Sequence, residues 1–326
     1  QLVAGQALGN MVHVFYIAIR VGGHDALDGL AWGIVSQRVN WVLDLDIEKF
    51  FDTVEHDRLI QMIQHRVTDG RIIRLIRRWI KVGIREHEGK RQAASCGIAQ
   101  GAVISPLLAN IYLHYVFDLW THQWRQRNAK GRVIVVRYAD DGVLGFNCLK
   151  DAKLYHQALQ QRMSKFGLAL HPKKTRLIRF GRFAAANSEG KPETFEFLGF
   201  THYCGTRFDG KFRVGRRTSR RRLHKRIKAI TYELRRRMHA PIIETLRWLK
   251  LVIQGHFNYY GVPGNTNQLA HFRDELVRRV IKLLRRRSQR SKIRWDTFGP
   301  VINGFLPRPR VMHPYPERRF NAKYSR

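Results

Sequence analysis

Two adjacent carboxylates, Asp140 and Asp141, stand in the stretch "VIVVRYADDGVLGF" between two runs of β-branched and apolar residues. The runs are typical of two buried strands. Ala139-Asp140-Asp141-Gly142 should form the tight turn between them, because Asp-Gly accepts the positive φ that such a turn requires. One interpretation is therefore a surface turn selected for its backbone geometry. That interpretation explains the second carboxylate less well, because neighbouring like charges repel. Two carboxylates at a hairpin tip instead suit a hard divalent cation, which binds oxygen ligands.

A second acidic stretch, "WVLDLDIEKFFD", carries acids at alternate positions. In a strand, Asp44 and Asp46 share one face, and Leu43 and Leu45 share the other. Taken alone, this is also the pattern of an ordinary half-exposed strand. Together with the hairpin, it indicates carboxylates from two neighbouring strands that could bind metal ions.

These acids must be positioned by strands and helices that alternate along the first part of the chain. The stretches "WVLDLDI" and "VIVVRY" predict strands, whereas "LIQMIQHRVTDGRIIRLIRRWI" has apolar residues at helical spacing. The composition changes near Tyr203, where basic residues begin to dominate. We therefore predict an α/β (α+β) domain over residues 1–205 and an all-α domain over residues 206–326.

Basic residues outnumber acidic ones by 60 to 25, which gives the 326-residue chain a formal net charge of +35. Such an excess predicts a polyanionic partner, with nucleic acid as the leading class and a generally basic, solvated surface as the alternative. The stretch Arg216–Arg237 holds eleven Lys or Arg residues and one acid, Glu233. A second basic stretch, "LAHFRDELVRRVIKLLRRRSQ", is amphipathic and should form a packed helix.

The cysteines and the hydropathy exclude several other classes. Cys96, Cys148 and Cys204 are far apart, so neither a zinc site nor a disulfide framework is indicated, and a reducing compartment fits. No apolar run approaches the roughly 20 residues that a membrane span needs, so we expect no membrane partner.

The acidic motifs resemble those of a known family. "RYADDGVLGF" resembles the catalytic signature of reverse transcriptases, and "DIEKFFDTVEHDRL" resembles their first metal-binding motif. "GIAQGAVISPLLANIYLHYVFD" resembles the segment that contacts template and nucleotide, and "GLALHPKKTRLIRF" and "FEFLGF" resemble the two motifs that follow. Five motifs in the family's order are far more specific than any one alone. The resemblance implies a right-hand polymerase palm with a split βαβ core, followed by a helical thumb.

The resemblance also implies roles for individual residues. Two Mg²⁺ ions would be held by Asp46, Asp140 and Asp141 for nucleotidyl transfer, with Asp44 as the next candidate ligand. The residues implied to contact nucleotide or template are Phe51, Gln100, Gly101, Ser105, Pro106, Asn110, Tyr138 and Lys174.

Several of these implied roles have simpler alternatives. Phe51 would exclude a 2′-hydroxyl by steric clash, or be a core aromatic beside Phe50. Lys174 would meet the triphosphate or protonate the leaving pyrophosphate, or be a solvated lysine. The Ser105-Pro106 pair should begin a helix, since proline is favoured in the first helical turn.

The second half of the chain resembles a particular branch of this family. "IQGHFNYYGVPGN", "RRSQRSKIRWDTF" and "LPRPRVMHPYPERRF" resemble the thumb and maturase region of group II intron-encoded proteins. This implies the intron RNA, a DNA primer or target and deoxynucleoside triphosphates as partners, a role in RNA splicing, and a bacterial cytoplasm. The final residues contain no Cys/His cluster, so the zinc endonuclease domain of some relatives is not expected.

The basic residues of this second half are the candidate RNA-binding set. The alternative is that they form a solvated helix surface. The candidate residues are Arg216, Arg217, Arg220, Arg221, Arg222, Lys225, Arg226, Arg285, Arg286, Arg287 and Arg290.

The first 23 residues depart from the family pattern, which resumes at about His24. Family members carry basic fingers residues ahead of the palm, and here Arg20 is the single candidate in that stretch. We therefore expect weak DNA synthesis from this chain, as from a truncated or degenerate fingers region. The alternative function is an RNA-binding maturase, or a degenerate remnant, with impaired catalysis.

Overall fold

The structure is a computed structural model that describes residues 16–17, 23–82, 96–99, 101–186, 192–287, 295–316 and 318–319. The chain divides into two compact units, Gln1–Glu193 and Thr194–Arg326. None of the helices described is long and apolar enough to cross a membrane.

The first unit alternates strands and helices, as the sequence pattern predicts. Its described elements are β1 (Tyr16–Ile17), α1 (Gly23–Ser36), β2 (Trp41–Leu45), β3 (Ile47–Glu48), α2 (Phe50–Thr53), α3 (His56–Gln64), α4 (Gly70–Val82), α5 (Ser105–Leu113), a π-helical turn (His114–Asp118), α6 (Leu119–Asn128), β4 (Val133–Tyr138), β5 (Asp141–Phe146), α7 (Leu149–Ser164), β6 (Ala169–Leu170), β7 (Arg176–Arg179) and α8 (Arg182–Ala186).

The main sheet of this unit has the strand order β1-β4-β5-β2-β7. β4 and β5 form an antiparallel hairpin, β2 pairs antiparallel with both β5 and β7, and β1 pairs parallel with β4. The β-branched run "VIVV" in β4 favours this pleated, buried environment. Because Leu45 pairs with Gly142, the end of β2 lies beside the start of β5 and the hairpin turn.

Helices cover both faces of this sheet. α1 packs against β4, where Gly33 closely approaches the side chain of Ile134. On the opposite face, Leu43, Leu45 and Leu144 belong to a core cluster that also includes residues of α3, α5 and α7. The strands are therefore buried on both sides, and the edge of the sheet with the hairpin turn is where its polar residues gather.

Among its described residues, the second unit combines a small sheet with helices that follow it in the chain. Its described elements are β8 (Phe195–Phe197), β9 (Phe200–Thr206), β10 (Phe212–Thr218), α9 (Arg220–Arg236), α10 (Ile242–Tyr260), α11 (Thr266–Arg285) and α12 (Trp295–Phe305). The strands pair antiparallel in the order β10-β9-β8. The helices enclose a separate core whose members include Leu223 of α9, Leu249 of α10 and Phe272 of α11.

The sheet of the second unit differs from the predicted all-α domain over residues 206–326. Each residue of β9 pairs with one of β10, from Phe200 with Thr218 to Thr206 with Phe212, so a division at residue 205 would fall at the end of a paired strand. The units instead divide after Glu193. The change in composition near Tyr203 follows the basic residues, whereas strand pairing determines which residues fold together.

Candidate active site

The predicted catalytic acids lie at one edge of the main sheet. Asp46 directly follows β2 and Asp141 begins β5; the register that pairs Leu45 with Gly142 places these two acids beside each other. Asp44 pairs with Val143 and therefore shares a sheet face with Asp141, two residues away. The structure thus brings together acids that are almost 100 residues apart in sequence.

The charges of these acids influence one another. Burial raises the pKa of Asp44 to about 7; the nearby Arg176 cation opposes this increase, and the charges of Asp141 and Asp46 add to it. Repulsion within this group is what a bound cation would offset, and carboxylate oxygens are the ligands that Mg²⁺ prefers. In the parts of the chain that are described, no three His, Cys, Asp or Glu side chains are arranged closely enough to hold a metal ion.

Basic residues just before and at the start of β7 contact two acids near the end of β2. The Nζ atom of Lys174 lies 3.0 Å from Oδ2 of Asp46, and a guanidinium nitrogen of Arg176 lies 3.7 Å from Oδ2 of Asp44. The backbone of Asp46 is also fixed, because its carbonyl accepts hydrogen bonds from the N–H of His171 (2.8 Å) and the hydroxyl of Thr175 (3.2 Å). Lys174 therefore neutralises a predicted metal ligand, a contact that the sequence analysis did not include.

The hairpin turn differs from its prediction in one respect. The positive φ falls at Ala139 (54°) and not at Gly142, which is a regular residue of β5 paired with Arg137. Tyr138 pairs with Asp141, so Ala139 and Asp140 form the turn between the strands. Asp141-Gly142 was therefore the wrong choice for the residues that supply the turn geometry, although it follows the turn directly.

Arg137 and Asp118 are site residues that the sequence analysis missed. The Arg137 guanidinium donates hydrogen bonds to both carboxylate oxygens of Asp118, to Oδ1 of Asn110 (2.9 Å) and to the carbonyl oxygen of Ala139 (2.7 Å). Both charged side chains are buried. A cation inside the apolar run "VIVVRY" was the available signal, because a buried charge requires a partner.

The predicted nucleotide and template residues are distributed around this edge. Pro106 lies in the first turn of α5, as predicted, and the hydroxyl of Ser105 donates to the carbonyl of Ala99 (2.7 Å). Gly101 has a φ of 94° and open space where a side chain would lie. Gln100 lies outside the described residues.

Three further members of this set have distinct environments. Tyr138 is 43% exposed at the end of β4. The amide oxygen of Asn110 accepts a hydrogen bond from Arg137. Phe50 is buried, and Phe51 is half-buried with its ring edge-on to Phe50. Both rings lie in the short helix α2 rather than in a strand, and Phe51 is the less buried of the two.

The RNA-binding candidates of the second unit are mostly exposed. Arg216 is the exception: it lies in β10 and is 3% exposed, so this candidate was wrong as a surface contact. Arg290 lies outside the described residues, and Arg287 is half-buried. The exposed candidates are Arg217, Arg220, Arg221, Arg222, Lys225, Arg226, Arg285 and Arg286.

A family model described as "Reverse transcriptase (RNA-dependent DNA polymerase)" matches residues 24–202, which include strands β2, β4, β5 and β7 of the main sheet, the hairpin turn and all the acids of the site. The chain belongs to the reverse transcriptase family. The match begins at His24, where the sequence analysis placed the return of the family pattern.

Among similar proteins, this reverse transcriptase is 33% identical over 150 residues to "Protein YkfC" of Escherichia coli (strain K12), a match that covers 38% of each chain. It is 24% identical to the "Uncharacterized 91 kDa protein in cob intron" of Schizosaccharomyces pombe, over 82% of this chain and 40% of that one. It is 39% identical to "Group II intron-encoded protein LtrA" of Lactococcus lactis subsp. cremoris, over 23% of this chain and 12% of that one.

These relatives are longer than the region matched, and this reverse transcriptase spans well under half the length of each. The names of the relatives from Schizosaccharomyces pombe and Lactococcus lactis support the resemblance to intron-encoded reverse transcriptases. Among solved structures, telomerase from Candida albicans has a TM-score of 0.40 at 13% identity, over 81% of this chain and 46% of that one.

Proposed function

We propose that this chain is the RNA-directed DNA polymerase of a group II intron and that it also binds the intron RNA and assists its splicing. The proposal depends mainly on one observation: the strand register places Asp46 beside Asp141 next to the hairpin turn, within the region that matches the family. The names of the relatives from introns support the intron-specific part.

We further infer that the main sheet is the palm. Its strands β2, β4, β5 and β7 follow the order β7-β2-β5-β4, with helices between β2 and β4 and between β5 and β7. That order is the one expected of a split βαβ core. The helices of the second unit would then form the thumb and the maturase region, with the exposed arginines of α9 against RNA phosphates.

The proposed cofactor is a pair of Mg²⁺ ions held by Asp46, Asp140 and Asp141. When bound, the ions would increase the nucleophilicity of the primer 3′-hydroxyl and stabilise the charge of the leaving pyrophosphate. Asp46 and Asp141 suit this role because the strand register places them beside each other and Mg²⁺ prefers carboxylate oxygens, although the described residues do not form a complete group of three ligands.

The protein residues around these acids would orient the substrates. Phe51, which is half-buried, would exclude the 2′-hydroxyl of a ribonucleotide, while Tyr138 would lie beside the primer end. Gly101 allows close approach of the backbone to the nucleotide, since no side chain occupies that space. Lys174, which reaches Asp46, is positioned to contribute positive charge at the triphosphate.

Primer extension on an RNA template with Mg²⁺ tests this proposal. We expect Asp141→Asn and Asp140→Asn to lower synthesis by at least 100-fold while RNA retention on filters changes less than twofold, because these acids would bind metal and not phosphate. The control is Asp57→Asn, an exposed acid in the first turn of α3. Synthesis that persists in either site variant would contradict the metal assignment.

A further inference from the structure

The backbone of the hairpin turn has a conformation that its residues do not favour. Ala139 adopts a φ of 54°, in the left-handed region that alanine, which has a Cβ atom, rarely occupies. A two-residue hairpin turn usually places glycine, asparagine or aspartate at such a position. Something outside the turn must therefore stabilise this conformation, because the sequence of the turn does not.

The Arg137 side chain supplies a specific contact to that residue. Its guanidinium donates a hydrogen bond to the carbonyl oxygen of Ala139 at 2.7 Å. Arg137 pairs with Gly142, whereas Tyr138 pairs with Asp141, so Arg137 approaches the turn from the face opposite to Asp141. It can thus fix the turn without occupying the space in front of Asp141, whereas Asp140 lines a small pocket together with Arg137.

The guanidinium is itself held in place from two directions. Asp118 accepts hydrogen bonds from two of its nitrogens, and Asn110 on α5 accepts another. The side chains of Arg137 and Asp118 are only 4% and 1% exposed, so the pair is shielded from water and salt. Asp118 ends the π-helical turn, where the N–H of Leu119 bonds to the carbonyl of His114. Such turns are uncommon and often mark functional sites.

We propose that Arg137, anchored by Asp118, is a positioning residue that keeps the turn at Ala139 left-handed and thereby sets the orientation of Asp140 and Asp141. This inference rests on the proposed polymerase function for its consequence in catalysis. The conformational part concerns the hairpin alone.

The test removes the pair without leaving an uncompensated buried charge, in the variant Arg137→Met/Asp118→Leu, since apolar replacement of both partners is often tolerated. We expect the kcat of primer extension to fall at least tenfold with little change in the KM for deoxynucleotide. The matched control is Arg162→Met. Arg162 donates to the carbonyls of Tyr115 and Val116 in the same π-helical turn and not to the carbonyl of Ala139, so we expect less than a twofold change.

A second substitution separates positioning from a purely structural role. Glycine adopts left-handed φ values readily. We therefore compare the fold-loss in kcat caused by Arg137→Met/Asp118→Leu in two backgrounds. That fold-loss should be at least three times smaller in the Ala139→Gly background than in the parent. An equal loss in both backgrounds would overturn the proposal, as would an unchanged kcat in the variant that lacks the pair.

Hydrogen exchange provides a measurement that does not depend on activity. In the variant that lacks the pair, amides of the peptide 133–146 should exchange at least tenfold faster, while those of β9 and β10 should not change. Unchanged exchange in this peptide would also overturn the proposal. If the parent protein shows no primer extension that depends on Asp141, the proposed polymerase function is contradicted. The hydrogen-exchange result would still decide whether Arg137 controls the conformation of the turn.

Discussion

At the scale of single residues, the contact between Lys174 and Asp46 makes a prediction about metal affinity. A lysine cation 3.0 Å from a carboxylate competes with Mg²⁺ for the same oxygen atoms. The Lys174 side chain is 59% exposed, so the competition should be modest. We expect Lys174→Met to lower the Mg²⁺ concentration for half-maximal primer extension by about two- to fivefold.

The control for this prediction is the neighbouring Lys173→Met, since Lys173 is exposed and its backbone N–H donates a hydrogen bond to Nδ1 of His171. A magnesium titration of synthesis, together with calorimetric titration of the free protein, measures the effect. An unchanged or higher Mg²⁺ requirement in Lys174→Met would show that the ion pair does not limit metal binding. A raised KM for deoxynucleotide would instead support the role of Lys174 at the triphosphate.

At the scale of elements, helix α9 has a charge distribution that its own stability does not explain. Three arginines, Arg220 to Arg222, occupy its first turn, where the helix dipole favours acids. Its buried face, formed by Leu223, Ile227, Ile230 and Leu234, packs in the core of the second unit. The unfavourable placement of positive charge supports a partner that supplies negative charge, such as RNA phosphate.

The salt dependence of RNA binding tests this surface. If Arg221 and Lys225 each contact a phosphate, then Arg221→Ala and Lys225→Ala should each reduce the slope of log affinity against log salt by about one. Arg127→Ala, an exposed arginine at the end of α6 in the first unit, is the matched control. Equal changes for all three variants would indicate a diffuse positive field rather than a defined surface on α9.

At the scale of the whole molecule, the second unit should respond to acid through two buried histidines. His202 of β9 is fully buried and stacked on Phe195. Burial, reinforced by the Arg216 cation, lowers the pKa of His202 to about 3. Burial likewise lowers the pKa of His256 to about 4, with Arg226 adding to the effect. Both histidines lie in the second unit.

The sign of the resulting pH effect follows from proton linkage. Between the unfolded pKa of about 6.5 and these folded values, the unfolded state binds more protons than the folded state, so stability falls as pH decreases. We expect the second unit to lose stability progressively below pH 6.5, as measured by hydrogen exchange of its amides at several pH values. His202→Phe should reduce this dependence, and His224→Phe, at an exposed position of α9, should not. A dependence that is identical in both variants would contradict the assignment to His202.

The sequence by itself determined the features that depend on neighbouring positions. Alternation along "WVLDLDI" identified the strand that leads to Asp46, the Ser105-Pro106 pair identified the start of α5, and helical spacing identified the buried face of α11. The ordered motifs also identified the family. These signals are local because the periods of strands and helices are properties of a short stretch of backbone.

The tertiary structure decided which distant residues meet. Lys174 reaches Asp46 across 128 positions, and Arg137 reaches Asp118 across 19, because strand order and the π-helical turn bring them together. Burial of Arg216 inside a paired strand, within a run that looked uniformly exposed, was decided in the same way. No local period encodes such contacts, since they arise from how strands pair and helices pack. In the same way, the left-handed Ala139 requires the contact from Arg137, which only the folded chain supplies.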